Sequence, residues 1–353
     1  MASLQVGIVG LPNAGKSTLF NALLKKQVAD TTNYPFCTIE PNKGIVEVPD
    51  GRLPVLAEIV RTQKIIPAVV EFIDIAGLVR GAHQGEGLGN QFLAQIREVA
   101  VISQVVRLFK NPDVAHVEKR LNPKADVEIV NSELILADLQ TLMKQKEPRI
   151  STDKEALFRW QAIQKLKRHL DQGLLAREVS LTPAERELTK DLCLLTAKPM
   201  IYVANVGEDN LAGAVVDFDY QPVIKLSAKL EESLILLPKK EQLDYLAEYG
   251  LSEAGLSRLI KTAYETLGLI SFLTAGEKEV RAWTIRKGMR AQEAAGVIHT
   301  DFAQKFIKAE VISFEDFVQD GGWANCRSLG KVRLEGRDYQ IKDGEVVDFK
   351  IGA

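Results

Sequence analysis

The 353-residue chain contains no window of about 18 uninterrupted apolar residues, so no membrane-spanning helix is expected. Its first residues pass directly into an apolar run without a charged-then-apolar leader, and the expected location is the cytoplasm. Cysteine is scarce: Cys37, Cys193 and Cys326 are odd in number and far apart, which fits a reducing compartment and excludes a disulfide framework or a cysteine-built metal cluster. Cys37 reads as a small half-buried residue. Nor is there an excess of one charge. With 45 basic and 47 acidic residues the net charge is −2, which argues against wholesale nonspecific binding of nucleic acid and restricts any RNA contact to local patches. The 46% of apolar residues suits two or three soluble domains.

What is present begins at Gly10. Residues 10–17 read Gly-Leu-Pro-Asn-Ala-Gly-Lys-Ser, a complete GxxxxGKS pattern between an apolar run, Val6 to Val9, and a helical stretch, Ser17 to Leu24. Glycines at these places let backbone N–H groups turn inward around phosphates, so Asn13, Ala14, Gly15, Lys16, Ser17 and Thr18 are the expected phosphate cradle. Lys16 reaches the outer phosphate oxygens, Ser17 ligates Mg²⁺, and the helix directs its positive end at the same anion. Asn13 carries two open readings: it shapes the loop, or it helps hold K⁺ beside the phosphates.

A second motif, Asp74-Ile-Ala-Gly77, ends the run Val69 to Ile73. There Asp74 can hold Mg²⁺, while the Gly77 N–H can meet a γ-phosphate and lose that contact on hydrolysis. Between the two motifs lies a polar connection in which Thr38 is the candidate to close onto Mg²⁺. The glycine-rich stretch from Leu78 to Gly89 reads as a switch that orders over a triphosphate. Where Ras-like proteins carry a water-orienting glutamine, this chain has Leu78, which cannot hydrogen-bond water, so hydrolysis is expected to be slow or assisted.

The base-reading region departs from guanine binders. After the apolar run Pro199 to Ala204 comes Asn205-Val206-Gly207-Glu208 instead of NKxD. The longer carboxylate of Glu208 suits guanine poorly, and Asn205 can exchange hydrogen bonds with adenine, so ATP is expected ahead of GTP. The run Pro222 to Leu226 then leads into Ser227-Ala228-Lys229, where related folds press backbone N–H groups onto the base.

These residues, GLPNAGKSTLFNAL at 10–23, NYPFCTIEPN at 33–42, EFIDIAGLVRGA at 71–82, GEGLGNQFL at 85–93 and the NxxE replacement, resemble the Obg-like ATPases, the YchF group of translation-factor-class P-loop proteins. The C-terminal segments Gly296 to Phe302 and Phe306 to Val311 are similar to the TGS domain of that group. The resemblance implies ATP preferred over GTP, association with the ribosome, and a hydrophobic residue for the catalytic glutamine, as Leu78 is. It implicates a loop histidine in hydrolysis, and the matching position is His116. The expected fold is an α/β P-loop NTPase domain of GTPase type, residues 1–130 and 196–270, interrupted by a helical hairpin at 131–195 and followed by a β-grasp TGS domain at 271–353.

Periodicity agrees with that layout. Helical spacing runs from Ile129 to Met143 and again through Ile163, Leu166, Leu170 and Leu174, and Thr182-Pro-Ala-Glu185 is a capping box opening a third helix to about Leu195. The inserted segment balances 11 basic against 10 acidic residues, and its outer face reads equally as a docking surface and as a solvated arm. From residue 271 onward short strands are expected at Val280 to Ile285, Lys331 to Leu334, Tyr339 to Lys342 and Val346 to Lys350, with a helix at Asp301 to Lys308. That region carries 13 charges of each sign, so rRNA would be met through single residues such as Arg281, Arg286, Lys287 and Arg290. The function expected is a slow Mg²⁺-dependent ATPase switch on the ribosome. A GTPase of ribosome assembly, and an ATP-gated ribosome-binding module with negligible hydrolysis, are the alternatives.

Overall fold

The structure, a computed structural model, describes residues 4–30, 42–75, 88–109, 122–148, 153–211 and 220–352. Thr38, Gly77, Leu78, His116 and Cys37 therefore lie outside the described residues. The chain divides into two compact units, one of Met1–Lys26, Ile39–Gly44 and Glu71–Leu259, the other of Gln27–Thr38, Ile45–Val70 and Ile260–Ala353. In chain order the first half runs β1 (Gln5–Val9), α1 (Lys16–Asp30), β2 (Lys43–Glu47), α2 (Arg52–Ile59), β3 (Ile65–Ile66), β4 (Val69–Asp74), α3 (Leu88–Glu98), β5 (Val101–Arg107), α4 (Pro123–Met143), α5 (Lys154–Asp171), α6 (Pro183–Thr189) and β6 (Met200–Asn205). There follow β7 (Val223–Leu226), α7 (Ala228–Leu234), α8 (Lys239–Glu248), α9 (Gly255–Thr266), β8 (Leu269–Ala275), β9 (Val280–Arg286), α10 (Ala291–Ile298), α11 (Thr300–Gln304), β10 (Phe306–Ile312), α12 (Phe314–Asp320), α13 (Trp323–Ser328), β11 (Arg333–Glu335) and β12 (Val346–Ile351).

The first sheet has the order β2-β4-β1-β5-β6-β7, and the pairs β4/β1, β1/β5, β5/β6 and β6/β7 are all parallel. Every residue of β5 and β6 is buried, because helices cover both faces of central parallel strands; β7, at one edge, alternates buried and half-buried positions. The parallel register brings the carboxyl ends of β1, β4, β5 and β6 to one side of the sheet, where ligands of such folds collect.

Helix α4 begins at Pro123, capped by the Asn122 side chain accepting from Ala125 N, six residues before the spacing-based start at Ile129. Its Val127, Val130, Leu134 and Ala137 pack with Ile102, Val106 and Tyr202 of the sheet, while Ile135 and Leu142 pack with Ile163, Leu166 and Leu170 of α5. The first helix of the segment 131–195 therefore lies against the parallel sheet. Buried Asp138 ties it there, accepting from Leu195 N at 2.7 Å and Thr196 N at 2.8 Å. The capping box at Thr182 and Glu185 forms as expected, but α6 stops at Thr189. A short 3₁₀ turn, Lys190–Leu192, follows, and Cys193 at φ 46° turns the chain left-handed before a helix could reach Leu195. Leu174 falls beyond the end of α5 and is exposed, outside the buried stripe.

The second sheet has the order β11-β10-β12-β8-β9-β3 and is mixed, with β10/β11, β10/β12 and β8/β9 antiparallel and β12/β8 and β3/β9 parallel. Phe272, Phe306, Ala309, Val311 and Phe349 pack with α10, whose Ala291, Ala294 and Ala295 are small enough for close approach. The helix expected at Asp301–Lys308 ends at Gln304, and Phe306 onward is β10. The strand is marked by Ala309 and Val311, two residues apart and both in the core, with Lys308 and Glu310 only half-buried between them; a register irregularity between Phe306 and Lys308 lets Phe306 reach the core as well. Tyr339 to Lys342 makes only a single antiparallel bridge, Arg290 to Gln340, because the chain turns at Gly344, φ +79°, to enter β12. Of the four cations singled out for RNA, Arg281 lies 3.8 Å over the Trp283 ring and Arg290 pairs with Asp338 at 2.9 Å.

Candidate nucleotide site

The loop between β1 and α1 is shaped by backbone angles that ordinary residues avoid. Gly10 stands at φ +151°, where a Cβ would come within 2.5 Å of the Val105 carbonyl oxygen, and Gly15 at φ +96°, where one would meet Asn205 Nδ2 at 2.2 Å. Both glycines are thus required twice over, by conformation and by space. Asn13, at φ 62°, adopts the left-handed turn that asparagine tolerates best among side-chain-bearing residues. Ala14 N closes the turn onto Leu11 O at 3.3 Å, and Leu19 N bonds Gly15 O at 3.0 Å as α1 begins.

Lys16 is buried to 8% exposure, and its Nζ donates to Leu11 O at 2.9 Å, so the ammonium is folded across its own loop. Burial holds its pKa below the usual lysine value, opposed by the nearby Asp74 carboxylate. Burial conversely raises the Asp74 carboxyl, opposed by Lys16. Each group is the other's counter-charge, and a bound phosphate would supply Lys16 with a second. Ser17 is exposed at the first turn of α1, and Thr18 beside it is half-buried. Among the described residues no group of three His, Cys, Asp or Glu side chains could enclose a metal. The donors Ser17 and Asp74 are hard oxygens and too few for a protein cage. They suit Mg²⁺, which binds by one or two protein oxygens with water and phosphate completing its shell.

At the end of β6, Asn205 is 4% exposed, its Nδ2 donating to Ala14 O at 2.9 Å and its Oδ1 accepting from Ala228 N at 3.0 Å. It braces the phosphate loop to the start of α7. The amide expected to meet adenine is thus engaged within the protein, as is the Ala228 N–H expected to face a base. Val206 is 2% exposed and packs with Leu211, Leu230, Leu234 and Leu246, so its side chain belongs to the core rather than covering a ring. Glu208 is partly exposed in a 3₁₀ turn, Glu208–Asn210, with Lys229 Nζ 3.8 Å away. Buried Ser227 caps α7, its Oγ accepting from Leu230 N at 3.5 Å.

Two supports escaped sequence reasoning. Glu231, buried on α7, accepts from Gly255 N at 2.7 Å and so ties the start of α9 to α7. No local pattern marks it, since its partner is far along the chain. Phe109 follows β5, and a Cβ on Gly207 would lie 3.8 Å from its own, with the Arg107 guanidinium 4.5 Å over its ring. An aromatic two residues after a buried strand was the available signal.

The site so built, a glycine-shaped phosphate loop with an inward lysine at the carboxyl edge of a parallel sheet, is a nucleoside triphosphate cradle. Comparison with known proteins agrees. Residues 5–150 match the family described as 50S ribosome-binding GTPase, and residues 269–352 match the C-terminal family of YchF GTPases, described as a protein of unknown function. The chain is 47% identical to the protein named ribosome-binding ATPase YchF of Bacillus subtilis, covering 99% of each. It is 45% identical to the protein of that name from Escherichia coli O157:H7, over 97% of this chain and 98% of the relative. The structure of the Schizosaccharomyces pombe YchF GTPase matches with a TM-score of 0.89 at 34% identity, covering 99% of this chain and 98% of that one. A P-loop fold of GTPase type, a phosphate loop in place and full-length likeness of this extent make the chain a member of the YchF family of P-loop nucleotide hydrolases.

Proposed function

We propose that this protein is a Mg²⁺-dependent nucleotide switch that binds ATP in preference to GTP, hydrolyses it slowly and docks on the ribosome. The observation that carries the reading is the pre-shaped phosphate loop of Gly10, Gly15 and Lys16, in a chain whose full-length relatives are named ribosome-binding ATPases. Lys16 leaves the Leu11 carbonyl for the outer phosphates, and Asn13 to Thr18 offer their N–H groups. Ser17, Asp74 and Thr38 supply oxygens toward Mg²⁺, which when bound neutralises charge developing on the phosphates. Gly77 reports the γ-phosphate, and His116 serves hydrolysis where Leu78 cannot. K⁺ beside Asn13 is a further contribution, tested by comparing turnover in KCl and NaCl.

Base preference rests on Glu208, whose longer carboxylate suits guanine poorly, while Asn205 sets the distance between the loops that frame the base. The segment 131–195, as an inserted hairpin, and residues 271–353, as a TGS β-grasp domain, are the proposed surfaces for the ribosome and its rRNA.

Relatives carry both names, ATPase and GTPase. The deciding experiment is equilibrium binding of non-hydrolysable ATP and GTP analogues with Mg²⁺. Preference for ATP by tenfold or more, about 1.4 kcal/mol, is expected. Tighter GTP binding would overturn the adenine assignment and favour a GTPase of ribosome assembly. Retained ribosome binding with undetectable hydrolysis would favour an ATP-gated binding module.

A further inference from the structure

The unit that carries the phosphate loop holds a second cavity, of about 680 Å³, away from that loop. Ala100 and Pro199, which line it, immediately precede β5 and β6, so the cavity opens at the amino edge of the parallel sheet, opposite the nucleotide cradle. Its size is that of small-molecule sites.

The lining has two characters. Part of it is aliphatic, with Leu166, Val179, Leu181 and Leu194, and no described lining residue is aromatic. Part is cationic, with Arg97, Arg177, Arg186, Lys190 and Lys198 against the single acid Glu187. Some of that charge is already engaged. Lys198 Nζ donates to the carbonyls of Ile96, Arg97 and Val99 at the end of α3, Arg97 Nη2 bonds Thr141 Oγ1 at 3.1 Å, and Lys190 lies 3.5 Å from Glu187.

Two arginines are not engaged in this way. Arg177 donates through Nη2 to the Tyr202 hydroxyl at 3.0 Å, but its Nη1 is buried with no hydrogen-bond partner among the described residues. Arg186 is in no ion pair among the described residues. A buried cationic donor without an acceptor is costly and rare, so an acceptor oxygen is the missing half of the arrangement. The aliphatic residues of the lining select the remainder of the ligand: they can cover a hydrocarbon body, and the described lining has no ring on which to stack a base.

We propose that this cavity is a second ligand site that takes an aliphatic carboxylate, its chain against Leu166, Val179, Leu181 and Leu194 and its head on Arg177 and Arg186. The test is calorimetric titration of the full-length protein with decanoate below its micelle concentration, beside decanol, with and without a saturating non-hydrolysable ATP analogue. One saturable decanoate per chain, at least tenfold tighter than decanol and undiminished by the nucleotide, is the expected result. Arg186→Glu, at an exposed helical position, should weaken decanoate tenfold or more and leave nucleotide affinity unchanged, and Arg177→Gln should do the same. Absence of saturable binding, equal affinity for decanol, displacement by the nucleotide, or full affinity in Arg186→Glu would each overturn the assignment.

Discussion

Asn205 shows what a single side chain does at this site. Its amide satisfies two buried backbone groups, Ala14 O and Ala228 N, that belong to distant parts of the chain. Asn205→Ala leaves both unpaired, at about 1–3 kcal/mol each. Urea unfolding should register a destabilisation of at least about 2 kcal/mol, and nucleotide affinity should fall with it. Asn205→Asp should be no better, because a carboxylate cannot donate to the Ala14 carbonyl. The importance of Asn205 was legible from its place after a buried strand, whereas its role as a brace was not. Sequence position cannot reveal that Gly15 and Ala228 flank the same amide.

At the scale of elements, β10 provides a direct check on which side chains its entry into the sheet buries. Phe306 is 2% exposed and its neighbour Ile307 is 59% exposed. Phe306→Ala should cost about 3–5 kcal/mol, and Ile307→Ala should stay within about 0.5 kcal/mol. Equal costs would contradict the burial of Phe306 beside an exposed Ile307.

The helical segment offers a pH-dependent case. Asp191 receives two hydrogen bonds from Arg159, at 2.7 and 2.9 Å, and these hold its pKa below the ordinary 3.8. A carboxyl lowered in the fold contributes stability above its unfolded-state value and loses it as pH falls through the folded value. The contribution should be intact at neutral pH and vanish only under acid conditions. An NMR titration should find Asp191 below 3.8, rising toward it in Arg159→Gln. No change in that variant would remove the ion pair as the cause.

At the scale of the molecule, ligand and fold are linked. A nucleotide that binds only the folded protein should stabilise it by about 2.7 kcal/mol at one hundred times its Kd. With the ATP analogue fixed at that concentration, removing Mg²⁺ by chelation should lower the melting temperature, and Ser17→Ala or Asp74→Asn should make the protein insensitive to the chelator. Retained Mg²⁺ sensitivity in both variants would place the metal on other oxygens. Among the described residues no helix is long and apolar enough to cross a membrane.

The sequence by itself determined what depends on neighbours along the chain. The phosphate loop follows from its glycines and lysine, the strands β1 and β6 from apolar runs, and the Thr182 capping box from a four-residue pattern. The family resemblance rests on the same local motifs. Only the tertiary structure decided what depends on residues far apart: Val206 sent into the core, Asn205 held between two loops, Glu231 capping α9, and α4 buried on the sheet as well as on α5. Local patterns carry backbone preferences and one-sided periodicity. A buried polar group's partner, or a helix's second buried face, is fixed by packing, in which groups distant in sequence must satisfy one another once water is excluded.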